Sequence, residues 1–291
     1  VIMAFMGYVR RFFAPLADLS QVYNTYQSAG AALDRIYEYM SIEPSIKESD
    51  NPQSQVKVNG EIEFKEVSFA YEKEKVIDDL NLKINSGEVM ALVGPTGAGK
   101  TTIVNLITRL YDVDDGQILI DEIDLRELSF DFLRKIIAVV PQDVFLFDTS
   151  IKNNIRYGKP DAEDKEIIEV AKQIQAHGFI TDLPQGYETR VGEGGVKLSG
   201  GQKQLISFAR AMMTDPEILI LDEATSSVDA YTEVMIQQAM DKLLENRTVL
   251  MIAHRFATLN KADQIGVLKD GELLDIGNHE QLIKESKIYR E

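Results

Sequence analysis

The chain has 291 residues, with 47 acidic side chains against 31 basic ones, a formal net charge of -16 and no cysteine. The missing thiols exclude a disulfide framework and a thiolate metal centre. The acidic surface argues against nucleic acid as a partner, because duplex binding relies on basic side chains that displace counterions.

The hydrophobic fraction of 44% suits a chain that buries a real core, and the length allows one large domain plus a smaller subdomain. The histidines His177, His254 and His279 are scattered, so no zinc cluster is indicated. An acidic balance does not forbid a nucleotide, since such pockets act at short range through backbone N–H groups and a metal ion.

The first residues, VIMAFMGYVRRFFAPL, are rich in large apolar and aromatic side chains. No apolar run reaches the roughly 20 residues of a whole membrane span. Arg10 and Arg11 follow the apolar stretch instead of preceding it, which is the wrong order for a signal peptide. Two readings stand: a helix packing on the domain, or the end of a longer apolar element.

Residues 16–40 are predicted helical, with Leu16, Leu19, Tyr23, Tyr26, Leu33, Ile36 and Met40 at three- and four-residue spacing. Pro44 closes that helix, and the polar stretch 44–59 is predicted to be a linker. The period then changes to two over 61–71 and 76–84, as expected of strands in an antiparallel sheet. Residues 89–94 form a continuous apolar run, the mark of a strand buried on both faces, followed by a helical stretch at 101–111.

Similar buried runs recur at 135–140, 217–222 and 247–253. Strands alternating with helices indicate an α/β domain around a mainly parallel sheet. Residues from about 144 to 213 lack a convincing strand and are expected to form an inserted helical subdomain.

Gly94 to Thr101 fits G-x-x-x-x-G-K-[ST], placed between a buried strand and a helix as that motif requires. Its glycines let the backbone curl so that the N–H groups of Thr96, Gly97, Ala98, Gly99, Lys100, Thr101 and Thr102 converge at a positive helix end. Lys100 is expected to reach the terminal phosphates of ATP, and the Thr101 hydroxyl to ligate Mg²⁺. The strand at 217–222 ends in Asp222 and Glu223, an expected metal partner followed by a residue placed to orient or deprotonate a water.

Leu198-Ser199-Gly200-Gly201-Gln202 is the LSGGQ pentapeptide, sited before the acidic strand and ahead of a helix. On this motif and the phosphate loop the chain resembles the ATP-binding cassette (ABC) proteins over residues 61–285. The resemblance implies a P-loop NTPase core with a mainly parallel sheet, an antiparallel β subdomain and an inserted helical subdomain. It also implies that Ser199, Gly200, Gly201 and Gln202 cap ATP held by a second nucleotide-binding domain.

By the same resemblance Tyr71 stacks on adenine, Gln142 touches Mg²⁺ and senses the transport domains, Ser226 to Asp229 form the D-loop, and His254 contacts the γ-phosphate. Residues 145–155 and 189–195 resemble loops of exporters, and the N-terminal residues 1–43 resemble the end of a last transmembrane helix with its cytoplasmic extension. The ATP-binding domain would then occupy 60–291.

That family implies ATP and Mg²⁺ as cofactors, transmembrane domains as partners and a small hydrophobic substrate moved outward. It places the domain on the cytoplasmic face of the inner membrane, in a protein that is itself integral to that membrane. Leu205 departs from the family's usual arginine and resembles exporters built from two different halves. The alternatives are a soluble ABC ATPase acting on DNA or ribosomes, and an ATP-gated module without turnover.

Overall fold

The computed structural model describes residues 1–222, 230–253 and 256–290. Two compact units emerge, Val1–Lys47 and Glu48–Glu291. The first is essentially one helix, α1 (Ile2–Met40), which runs through Pro15 and ends on Ser41, three residues before Pro44. Its 39 residues extend about 58 Å at the usual rise per residue. Phe5, Phe12, Tyr23, Tyr26, Leu33 and Tyr37 along it are exposed. Among the described residues no helix is long and apolar enough to cross a membrane.

The second unit opens with an antiparallel sheet in the order β2-β1-β4-β5, from β1 (Ile62–Tyr71), β2 (Glu74–Ile84), β4 (Asp115–Ile120) and β5 (Ile123–Asp124). In β1 the buried side chains are Ile62 and Phe64, then Val67 and Phe69. The alternation slips by one residue, and a bulge there, with Glu66 at φ 50°, resets the phase so both pairs face the core. The Asp121 carboxylate fixes the entry to β1, accepting from the backbone N–H groups of Asn59, Gly60 and Glu61.

The central sheet has six strands in the order β12-β11-β3-β10-β9-β6. These are β3 (Val89–Val93), β6 (Ile137–Val140), β9 (Ile218–Asp222), β10 (Thr248–Ile252), β11 (Gln264–Lys269) and β12 (Glu272–Gly277). All neighbours are parallel except the β11–β12 hairpin. Successive residues of β3 serve two different cores: Val89 and Ala91 join one cluster, Met90 and Leu92 the other. That two-sided burial explains the unbroken apolar runs.

One cluster is built with α2 (Lys100–Ile107), α3 (Phe130–Ile136) and the antiparallel sheet. The other draws on α4 (Ile151–Arg156), α5 (Asp164–Gln173), α6 (His177–Asp182), α7 (Gly200–Thr214) and α8 (Ala230–Leu244). The short α9 (Phe256–Leu259), α10 (His279–Glu285) and α11 (Lys287–Arg290) complete the chain.

Three local expectations are corrected. The run at 135–140 is a strand only from Ile137, because Lys135 and Ile136 finish α3. The helix expected over 101–111 stops at Ile107, since Arg109 takes a left-handed φ of 51°. There Arg109 is buried and donates to Asp112 and to the carbonyls of Leu125 and Leu128. Residues 144–213 do contain strand, a two-stranded pair of β7 (Thr149–Ser150) and β8 (Arg190–Val191).

Helix α5 begins with a capping box between Glu163 and Glu166. Lys152, with Arg156 beside it, holds the Asp164 carboxyl below its ordinary range, and Lys159 does the same for Glu166. Carboxyls depressed in the folded chain support it above their unfolded pKa, and that support is lost as pH falls through the folded values. Amide-exchange protection of α5 is therefore expected to hold at neutral pH and to fall on acidification below the ordinary carboxylate range. A double change, Asp164→Asn with Glu166→Gln, should flatten that dependence; wild-type protection indifferent to acid refutes the account.

Candidate functional site

Strand β3 delivers the chain to Gly94, whose backbone passes so close to β11 that a Cβ there would sit 2.2 Å from the Leu268 carbonyl oxygen. The Ala98 N–H donates to the Pro95 carbonyl at 3.1 Å, closing the turn. Gly99 then takes φ 100° directly before α2, a conformation costly for any residue with a Cβ. The loop is followed at once by the N-terminal N–H groups of α2, where the helix dipole is positive.

Lys100 is 6% exposed, and its Nζ donates to the carbonyls of Gly94 at 2.7 Å and Pro95 at 2.9 Å. Its ammonium is thus folded over its own loop, which keeps the loop closed in shape.

The parallel register puts the C-terminal ends of β3, β9 and β6 on one edge, with β10 between β3 and β9. Open α/β sheets bind ligands at that edge. Asp222 is the last residue of β9, and Gln142 lies two residues beyond the end of β6. The result is a cleft of about 480 Å³ lined by Thr96, Gly97, Gly99, Lys100, Thr101, Thr102, Gln142 and Asp222, with Val76 and Ile252 as apolar walls.

The donor set has a clear chemical meaning. Backbone N–H groups and one ammonium suit a polyphosphate. The Thr101 hydroxyl, the Gln142 amide and the Asp222 carboxylate share the cleft as oxygen donors. Such hard ligands, few in number, fit Mg²⁺, which keeps several waters and takes further oxygens from bound phosphates. Among the described residues there is no group of three or more His, Cys, Asp or Glu that could hold a metal by itself.

Other predicted residues stand apart from the cleft. Ala98, within the loop, is buried. Tyr71 is half-buried in an aromatic group, edge-on to Phe69 at 4.8 Å and to Tyr111 at 5.1 Å, and its hydroxyl accepts from Asn105. It does not line the cleft.

Ser199 and Gly200 are exposed, Gly201 is buried, and Gln202 lies between. Ser199 and Gln202 form a capping box: Ser199 Oγ accepts from the Gln202 N–H at 3.2 Å, and Gln202 Oε1 accepts from the Ser199 N–H at 3.0 Å. This loop too is absent from the cleft lining. Leu205, on the same helix, is only 1% exposed within the apolar core. Glu223, the segment Ser226 to Asp229, and His254 lie outside the described residues.

Sequence reasoning missed the cleft walls Val76 and Ile252, which look like ordinary strand residues until the sheets are assembled. It also missed the β11–β12 hairpin, whose Asp270-Gly271 turn has φ of 50° and 86°. An Asp-Gly pair between apolar runs is a hairpin signal of the kind that could have found it.

Comparison with known proteins gives consistent matches. A family model described as ABC transporter matches residues 77–226. An uncharacterized ABC transporter ATP-binding protein of Bacillus subtilis, YknV, is 48% identical over 290 residues, covering 99% of this chain and 48% of its own length. An ATP-dependent lipid A-core flippase of Syntrophus aciditrophicus is 45% identical over 280 residues, covering 96% of this chain and 47% of its own length. A solved bacterial Atm1-family ABC exporter with ATP bound superposes with a TM-score of 0.86 at 36% identity, covering 97% of this chain and 50% of that one. The chain spans about half the length of these relatives.

Proposed function

Because the chain belongs to the ABC transporter family, we propose that it is the ATP-hydrolysing motor of an exporter, driving a small hydrophobic substrate outward across the membrane. The observation that carries this reading is the cleft uniting Lys100, Thr101, Gln142 and Asp222 on one sheet edge, with the exposed Ser199 loop outside it.

The chain's own groups divide the work. N–H groups of Thr96, Gly97 and Gly99 to Thr102, with the Lys100 ammonium, hold the phosphates, while the Ala98 N–H keeps the Pro95 carbonyl; binding ATP draws the lysine from its carbonyl partners onto the nucleotide. Thr101, Gln142 and Asp222 would hold Mg²⁺, which when bound neutralises phosphate charge and fixes its orientation. Glu223 follows Asp222 in the chain and orients or deprotonates the attacking water. His254, which follows β10 in the sequence, contacts the γ-phosphate. Tyr71 stacks on adenine, which requires its ring to be reached from the edge of its aromatic group.

Ser199, Gly200, Gly201 and Gln202 serve a second nucleotide-binding domain, so that two chains enclose two nucleotides. Their absence from this chain's own cleft lining supports that arrangement. Transmembrane domains, and a place on the cytoplasmic face of the membrane, complete the proposal; the flippase and exporter relatives, each about twice this chain's length, support both.

The deciding substitution is Glu223→Gln. It is expected to lower ATP turnover by about 10²-fold while ATP still binds and still pairs two domains. Unchanged turnover sinks the hydrolytic assignment.

A further inference from the structure

Two segments that are far apart in sequence meet at one side chain. Asp148 lies six residues after Gln142, and Arg190 nine residues before Ser199. The Arg190 guanidinium grips the Asp148 carboxylate with both arms: Nε donates to Oδ1 at 2.9 Å and Nη2 to Oδ2 at 2.9 Å. Directly beyond, β7 and β8 pair antiparallel, Thr149 with Val191 and Ser150 with Arg190.

The backbone after Arg190 then curls around the same carboxylate. Gly192, at φ 104°, approaches so closely that a Cβ would sit 2.7 Å from Asp148 Cα. Gly194 runs alongside the same carboxylate, so that a Cβ there would sit 3.4 Å from Asp148 Oδ2. The Val196 N–H returns to the Arg190 carbonyl at 2.8 Å, closing the loop three residues before Ser199.

The side chains of Asp148 and Arg190 are 42% and 65% exposed. An ion pair that open contributes little to holding a fold together. Its two-pronged geometry, however, fixes direction as a single contact would not. A contact weak in stability but exact in orientation, joining the segment behind one site element to the segment ahead of another, is suited to positioning.

We propose that Asp148 and Arg190 form a clasp that sets the Ser199 loop relative to the Gln142 segment, making both positioning residues for ATP turnover. This rests on the reading of the chain as an ATPase whose site is completed by a second copy's Ser199 loop. Neither residue lines the cleft. Gln142 stands at the cleft, and movement there travels through residues 143–148 into the clasp and on to the loop offered to the partner.

The test measures kcat, ATP affinity and Tm on the intact, assembled protein for Asp148→Asn, Arg190→Ala, the pair together, and Arg190→Lys. Each single change is expected to lower kcat about fivefold, with ATP affinity unchanged and Tm within about 3 °C of wild type. The double change should cost no more than either single one, because both remove one contact. Arg190→Lys should fall between, keeping the charge and losing the fork.

Wild-type kcat in the single variants overturns the clasp, as does a kcat loss that tracks a falling Tm, or additive losses in the double variant. A wild-type protein that binds ATP without turning it over overturns the ATPase reading, and the clasp's role in turnover with it. Wild-type turnover with indifferent variants overturns the clasp alone.

Discussion

Lys100→Ala is expected to lower ATP turnover by about 10³-fold and to weaken ATP binding markedly, with the fold retained. The lysine is nearly enclosed, 6% exposed, yet it lines the cleft. Its ammonium bridges the Gly94 and Pro95 carbonyls at the mouth of the loop. Truncation therefore removes the one side-chain cation among the described residues that line the cleft, and unties the loop that aims the N–H groups. Both losses fall on the proposed phosphate contacts, and neither touches the two apolar clusters. A fluorescent-nucleotide titration beside a steady-state assay reads both effects; full affinity in the variant would show that the backbone N–H groups suffice alone.

A second large effect falls on stability. Phe208 is fully buried on α7, the helix that begins just after Ser199, within the larger apolar cluster. Phe208→Ala removes a ring from a closely packed interior, with an expected loss of about 3–5 kcal/mol. For a chain of this size that corresponds to a Tm drop of about 10 °C. Urea unfolding followed by circular dichroism measures it. A loss below about 1 kcal/mol would mean that neighbours collapse into the space.

Parts of this molecule were legible because their signals are local. The phosphate loop is one contiguous run of glycines and a lysine between a buried strand and a helix, and the structure has that strand, turn and helix in sequence. The buried strands β3, β9 and β10 read directly from apolar runs, since each is covered on both faces. What escaped depends on distant partners or on left-handed backbone.

The phase slip in β1 becomes visible only with its bulge at Glu66, and the early end of α2 only with Arg109 turned inward to Leu125 and Leu128. Strands β4, β5, β11 and β12 were unread; they hang on turns at Asp121-Glu122 and Asp270-Gly271, all with positive φ. In the cleft, Lys100 and Thr101 follow from the loop itself. Gln142 depends on resemblance, because an amide after a strand carries no chemistry of its own until β6 is seen to end beside β9.

The capping box at Ser199 has a consequence for how two chains would part. In both of its bonds a side-chain oxygen accepts from a backbone N–H: Ser199 Oγ from Gln202, and Gln202 Oε1 from Ser199. The Ser199 O–H and the Gln202 Nε2–H groups are donors that these bonds do not use. A phosphate arriving from a second chain would therefore add bonds to side chains already held in place, with little freedom left to lose. Once the terminal phosphate is cleaved, those donors return to water, and the box itself survives the separation unbroken.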